Sequence, residues 1–168
     1  MGYSYFYLNG NHDTQADMNS QEIVANDIRY GKNVSLTQMG PANITGASNY
    51  YIPVLKSGSN GVDFNDTAYS LWIFDSNSED CEGVPGYGCV EDDAIQWYVD
   101  TASSLQESLN TRVLPPALAF FHIPINEYLV TPGSTGSGTC YGTKDESICC
   151  SSVNTGLFTA FLDVGDVR

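Results

Sequence analysis

Ala117-Leu118-Ala119-Phe120-Phe121-His122-Ile123 is an unbroken apolar run of strand length, stopped by Pro124. A strand with no polar alternation reads as one covered on both faces. The segment before it fits that setting. Over residues 92–109, Ile95, Tyr98, Ala102, Leu105 and Leu109 recur at steps of three and four, which predicts an amphipathic helix. Glu91, Asp92 and Asp93 place negative charge where a helix N-terminus favours it. Asn110 or Arg112 ends this helix ahead of Pro115-Pro116. Ala68 to Phe74 is a second core strand, ended by the turn residues Asp75-Ser76-Asn77-Ser78. Strand, helix and strand in this order predict an α/β chain of mixed sheets flanked by helices.

The outer segments add smaller elements. Tyr3 to Leu8 reads as a short aromatic strand that runs into Asn9-Gly10-Asn11-His12-Asp13. Asn19 and Glu22 have the spacing of a capping box, which predicts a helix over 20–30 that stops at Gly31. Residues 49–55 read as a strand, and Pro53 assigns it to a sheet edge. Residues 75–90 and 131–153 read as loops. Residues 154–162 predict a short helix capped by Asn154.

The chain has 168 residues, of which 42% are hydrophobic, enough for one domain with a core. Its formal charge of -14 repels phosphate backbones, so nucleic-acid binding is not indicated. No stretch of 18 apolar residues is present, so no transmembrane helix is predicted. The N-terminal residues lack the basic region of a signal peptide. Three acceptor sequences for N-glycosylation, at Asn33, Asn43 and Asn65, nevertheless suggest a secreted or vacuolar glycoprotein of the secretory pathway. The five cysteines lack zinc-site spacing. Cys81 and Cys89 bracket a turn-rich loop that a disulfide can staple, and Cys140 with either Cys149 or Cys150 can close a second.

Only two histidines are present, His12 and His122, and both follow or end predicted strands. Strand carboxyl ends are where ligands bind in layered α/β proteins. Asn11 offers a neutral oxygen ligand, His12 a proton or hydrogen-bond donor, and Asp13 a carboxylate able to fix the His12 tautomer.

Asn9-Gly10-Asn11-His12-Asp13 resembles the Gly-Asn-His-Asp/Glu block of calcineurin-like metallophosphoesterases. Glu91 to Tyr98, followed by Pro116 to Tyr128, resembles a narrower group, the fungal, plant and protist phosphatases similar to purple acid phosphatases. Asn154 to Val167 resembles the block before that group's last motif. The ordered resemblance covers essentially the whole chain.

It implies a partial metallophosphoesterase fold, an α+β sandwich, spanning 1–168. It further implies metal-dependent hydrolysis of phosphate-ester substrates in a complete protein. Two divalent ions, or iron with a divalent ion, are implied, with Fe, Mn and Zn as candidates. Asn11 and His122 are the implied metal ligands. His12 is the implied catalytic group at the phosphate, with Asp13 orienting it. The family's upstream Asp-x-His and Gly-Asp motifs and its downstream Gly-His-x-His motif are not found. Gln15 stands where many relatives carry Glu. Two ligands do not make a two-metal site, so the chain alone is expected to be inactive. The competing expectation is a non-catalytic secreted acidic domain that retains the phosphatase scaffold.

Overall fold

A computed structural model of the chain describes residues 3–58, 66–109, 113–130 and 147–167. Helix α1 (Ser20–Gly31) begins with the expected capping box: the Asn19 side chain accepts from the Glu22 amide and the Glu22 carboxylate from the Asn19 amide. Strands β1 (Tyr50–Leu55) and β2 (Thr67–Ile73) pair antiparallel. A hairpin of β3 (Glu79–Cys81) and β4 (Val84–Tyr87) follows, then helix α2 (Asp92–Ser108) and strand β5 (Ala117–Phe120). The last helix is α3 (Leu157–Val164). The main sheet has the order β1-β2-β5, with β5 parallel to β2. That makes β2-α2-β5 a crossover unit and leaves β1 at an edge, where its Pro53 removes no needed donor.

The sheet is covered on both faces at β2. Trp72 and Phe74 point to the helical side, into a cluster with Val90, Ala94, Tyr98, Ala102, Ala117, Leu157 and Phe161. The α2 stripe lies on this cluster, with Ile95, Leu105 and Leu109 partly buried at its margin. Ile73 points the other way, toward Tyr50, Ile52, Phe6 and Leu8. Tyr98 is central, with ring centroids 4.8 Å from Trp72, 5.7 Å from Phe74 and 5.5 Å from Phe161. Such pairs add about 0.5–1.5 kcal/mol each beyond area burial. Asp166, at 3% exposure, is the polar group inside this layer. Its carboxylate accepts from Trp72 Nε1 at 2.8 Å and from the Tyr98 hydroxyl at 2.5 Å, and its carbonyl accepts from the Ala117 amide at 2.7 Å.

Four sequence expectations are corrected. The apolar run 117–123 is not covered throughout: β5 ends at Phe120 and Leu118 is 47% exposed. Among the described residues only β2 lies between two strands, over Ser70 to Ile73, since β5 meets Val167 at a single bridge from Ala117. The aromatic stretch 3–8 makes one bridge, Tyr5 to Ser35, and no strand. Its ladder breaks because the Tyr7 amide is taken by the Thr37 hydroxyl at 2.9 Å. The expected loop 75–90 contains the β3-β4 hairpin. Helix α3 starts after Gly156, which is left-handed at φ 82°, and Asn154 instead binds the Gly156 amide at 2.9 Å. Cys149 and Cys150 carry free thiols, and the loop expected between Cys140 and one of them falls outside the described residues. Cys140, Asn65 and the α2 stop at Asn110 or Arg112 lie outside the described residues. Cys81 and Cys89 form the expected disulfide, with Cα atoms 5.3 Å apart. No helix among the described residues is long and apolar enough to cross a membrane.

Candidate metal site

The ends of β2 and β5 lie side by side, and the chain beyond each is fixed by buried polar contacts. The Phe74 amide donates to the Phe120 carbonyl at 2.9 Å. Beyond β5, the Ile123 amide donates to the Ser76 hydroxyl at 2.9 Å, which fixes the turn carrying His122. Beyond β2, the Asp75 carboxylate is 2% exposed and accepts from Asn9 Nδ2 and the Ala47 amide, both at 2.8 Å. A second oxygen takes the Asn77 amide at 3.0 Å. A buried carboxylate is tolerated when its lone pairs are filled in this way. Asp75 thereby draws the segment before Gly10 onto the same end of the sheet as His122.

The result is a direct meeting of two predicted ligands. His122 Nε2 lies 2.9 Å from Asn11 Oδ1, across 111 positions of sequence. A Cβ at Gly10 would stand at ordinary contact, 3.4 Å, from the His122 ring. His12 precedes a single helical turn, Asp13–Gln15, and is exposed. With Asn11 and Gln15 it forms one wall of a cleft of about 480 Å³ whose other wall is the hairpin, through Glu79, Asp80 and Tyr87.

Asp13 is placed differently from the sequence expectation. Its Oδ2 accepts from the Tyr7 hydroxyl at 2.7 Å and from the Gly10 amide at 2.8 Å, and it makes no hydrogen bond to His12. The helical turn is the reason, since it folds the Asp13 side chain back over Gly10. Burial pushes the Asp13 carboxyl up, but the Tyr7 and Gly10 bonds and the two nearby imidazoles outweigh it and hold it below the usual range. Tyr7 is pushed well above its ordinary value, first by burial and then by its bond to Asp13, so it stays a donor.

The donor set fits part of one ion. Two ligands about 2.1 Å from a tetrahedral ion stand roughly 3.4 Å apart, so Asn11 and His122, hydrogen-bonded at 2.9 Å, would part slightly to share one. Completing one ion needs about four ligands or more. Among the described residues, no group of three His, Cys, Asp or Glu side chains comes together. Sequence reasoning singled out Asn11, His12, Asp13 and His122 as candidates but passed over Asn9, Asp75, Ser76 and Tyr7, which contact them or the turns that carry them. Asp75 and Ser76 read as turn residues, and the signal available was an acid directly after the core strand β2 and Phe74.

No protein-family model and no solved structure matches the chain. Three proteins of Arabidopsis thaliana do. "Probable inactive purple acid phosphatase 28" is 31% identical over 175 residues, covering 95% of this chain and 41% of that protein. "Probable inactive purple acid phosphatase 29" is 26% identical over 171 residues, covering 95% of this chain and 42% of that protein. "Probable inactive purple acid phosphatase 14" is 25% identical over 181 residues, covering 99% of this chain and 43% of that protein. The chain thus spans about two fifths of the length of these relatives. Its α/β architecture matches a partial metallophosphoesterase fold, with sheets flanked by helices. The chain is a homologue of plant purple acid phosphatase family members, consistent with the calcineurin-like metallophosphoesterase superfamily.

Proposed function

We propose that this chain is a non-catalytic acidic domain that keeps the phosphatase scaffold and a two-donor remnant of its metal site. The observation that carries the proposal is the donor set. Asn11 and His122 meet, and no cluster of three potential His, Cys, Asp or Glu ligands surrounds them among the described residues. The names of all three relatives include the word inactive, which supports the same reading. A secretory compartment is part of the proposal. The Cys81–Cys89 disulfide and the exposure of Asn33 and Asn43 support it.

The second reading is hydrolysis of phosphate esters by a longer protein that supplies the remaining ligands. It is favoured by one specific observation, the meeting of Asn11 and His122 beside a cleft lined by His12. In that case Asn11 and His122 would hold one of two ions, among Fe, Mn and Zn. Bound metal would supply Lewis-acid polarisation of the phosphoryl group. His12 would donate to a phosphoryl oxygen or the leaving group, and Asp13 would fix the loop that carries both.

The test is hydrolysis of an aryl phosphate by the purified 168-residue chain with added Mn²⁺ or Zn²⁺, beside metal analysis. The expected rate is that of buffer with the same metal. Turnover abolished by His122→Ala would overturn the proposal and the need for further ligands alike, whereas an inactive chain within a longer protein that hydrolyses the ester would establish the second reading. In a longer active protein, His12→Ala would then lower the rate by about 10²–10⁴-fold, the contribution of one positioned proton-transfer group.

A further inference from the structure

We infer that Tyr7 is a positioning residue for the Asn11–His122 pair, acting through the Asp13 carboxylate on the Gly10 amide. The inference rests on the reading that these two residues retain a share of a metal site.

Tyr7 is itself fixed at three points. Its amide donates to the Thr37 hydroxyl at 2.9 Å, its carbonyl accepts from the Tyr50 hydroxyl at 2.6 Å, and its own hydroxyl donates to Asp13 Oδ2 at 2.7 Å. Thr37 and Tyr50 are both buried, so the phenol swings from a rigid support. The same Asp13 oxygen holds the Gly10 amide at 2.8 Å, and the Asp13 amide returns to the Gly10 carbonyl at 3.2 Å. Gly10 to Asp13 is thus closed by two bonds at its ends, with Asn11 and His12 displayed between them. Asp13 is exposed, so without Tyr7 its carboxylate is free to turn to water. The loop then loses the clamp that aims Asn11 Oδ1 at His122. Partners of this kind orient ligands, and their loss typically weakens metal binding by about 10–100-fold.

The experiment compares the 168-residue chain with its Tyr7→Phe, Asp13→Asn, doubly substituted and His122→Ala forms by NMR. Two readouts need no metal: the exchange rate of the Gly10 amide and the cross-relaxation between the Asn11 Cβ protons and the His122 ring. A third is the Mn²⁺ concentration that broadens the His122 ring signals. Tyr7→Phe is expected to speed Gly10 exchange by about tenfold, in the range of a lost hydrogen bond to a charged group. It is also expected to remove the cross-relaxation and to raise the Mn²⁺ midpoint about tenfold, while amides in β2 and α2 keep their protection. The double variant should be no worse than Asp13→Asn, because the two side chains act in series. Unchanged Gly10 exchange and cross-relaxation in Tyr7→Phe would overturn the inference. So would additive effects in the double variant. Wild-type His122 signals that ignore Mn²⁺ would instead sink the metal remnant and leave the two metal-free readouts to judge Tyr7.

Discussion

Asp166→Ala removes a buried carboxylate that serves two elements at once. The carboxylate accepts from Trp72 on β2 and Tyr98 on α2, while its backbone carbonyl holds the first residue of β5. Truncation leaves the indole N–H and the phenol O–H without partners inside a layer where both rings are fully buried. Each unsatisfied buried group costs about 1–3 kcal/mol, so the expected loss is about 2–6 kcal/mol. Total stability for a domain is about 5–15 kcal/mol, which makes this a variant near the threshold of unfolding. Asp166→Asn keeps one acceptor oxygen and should lose about half as much. Urea unfolding followed by tryptophan fluorescence measures both. With a slope of about 1–3 kcal/mol per molar urea, the midpoint of Asp166→Ala falls by about one molar or more. A double-mutant cycle with Tyr98→Phe should show a coupling of about 0.5–3 kcal/mol. A loss below about 0.5 kcal/mol with no coupling would mean that water replaces the carboxylate at no penalty, and the structural role given to Asp166 would be wrong.

The disulfide and the buried phenols give two further expectations. Replacing Cys81 and Cys89 together by alanine opens an eight-residue separation. It should cost roughly 2–3 kcal/mol by loop entropy, seen in urea unfolding under non-reducing conditions; an unchanged midpoint would refute the staple's contribution. Burial lifts Tyr50 from 10.0 to about 12 despite its hydrogen bonds, and burial followed by the Asp166 bond lifts Tyr98 further. Folding therefore favours the neutral phenols. Their stabilisation is complete below pH 10 and is lost as pH rises through 10 toward 12 and beyond. Absorbance titration at alkaline pH should show these phenols ionising only as the chain unfolds, and ionisation of all tyrosines near pH 10 in a folded chain would contradict it.

The sequence made the crossover unit legible because its signals are periodic and strong. The α2 stripe at steps of three and four, and the apolar stretch of β2, leave little choice of structure. The capping box at Asn19 and Glu22 was equally plain, since it rests on contacts within one turn. What failed depended on neighbours distant in sequence. Tyr3 to Leu8 has strand composition, yet a hydroxyl 30 positions away takes the amide that would continue its ladder. The hairpin carries left-handed Asp80 and Glu82; aspartate is enriched there, but glutamate does not announce that conformation. At the site, Asn11 and His122 were readable as a pair from the family resemblance. The contact of Asp13 with Tyr7 was not, because a carboxylate beside a histidine suggests the histidine as its partner.

The 111 positions between Asn11 and His122 also set the order in which this site comes into being. Compared with a ten-residue loop, closing one of that length costs roughly 2 kcal/mol more in chain entropy. The Asn11–His122 contact is too small to offset that difference alone. It must wait until β2 and β5 have paired. During synthesis at about 5–20 residues per second, Asn11 leaves the ribosome some 6–20 s before His122 does. The Gly10 to Asp13 loop spends that interval without its imidazole partner, held by Tyr7 and, through Asn9, by Asp75 once β2 has emerged. Folding of the nascent chain therefore completes the phosphatase-like site late, after helix α1 has long been available to form.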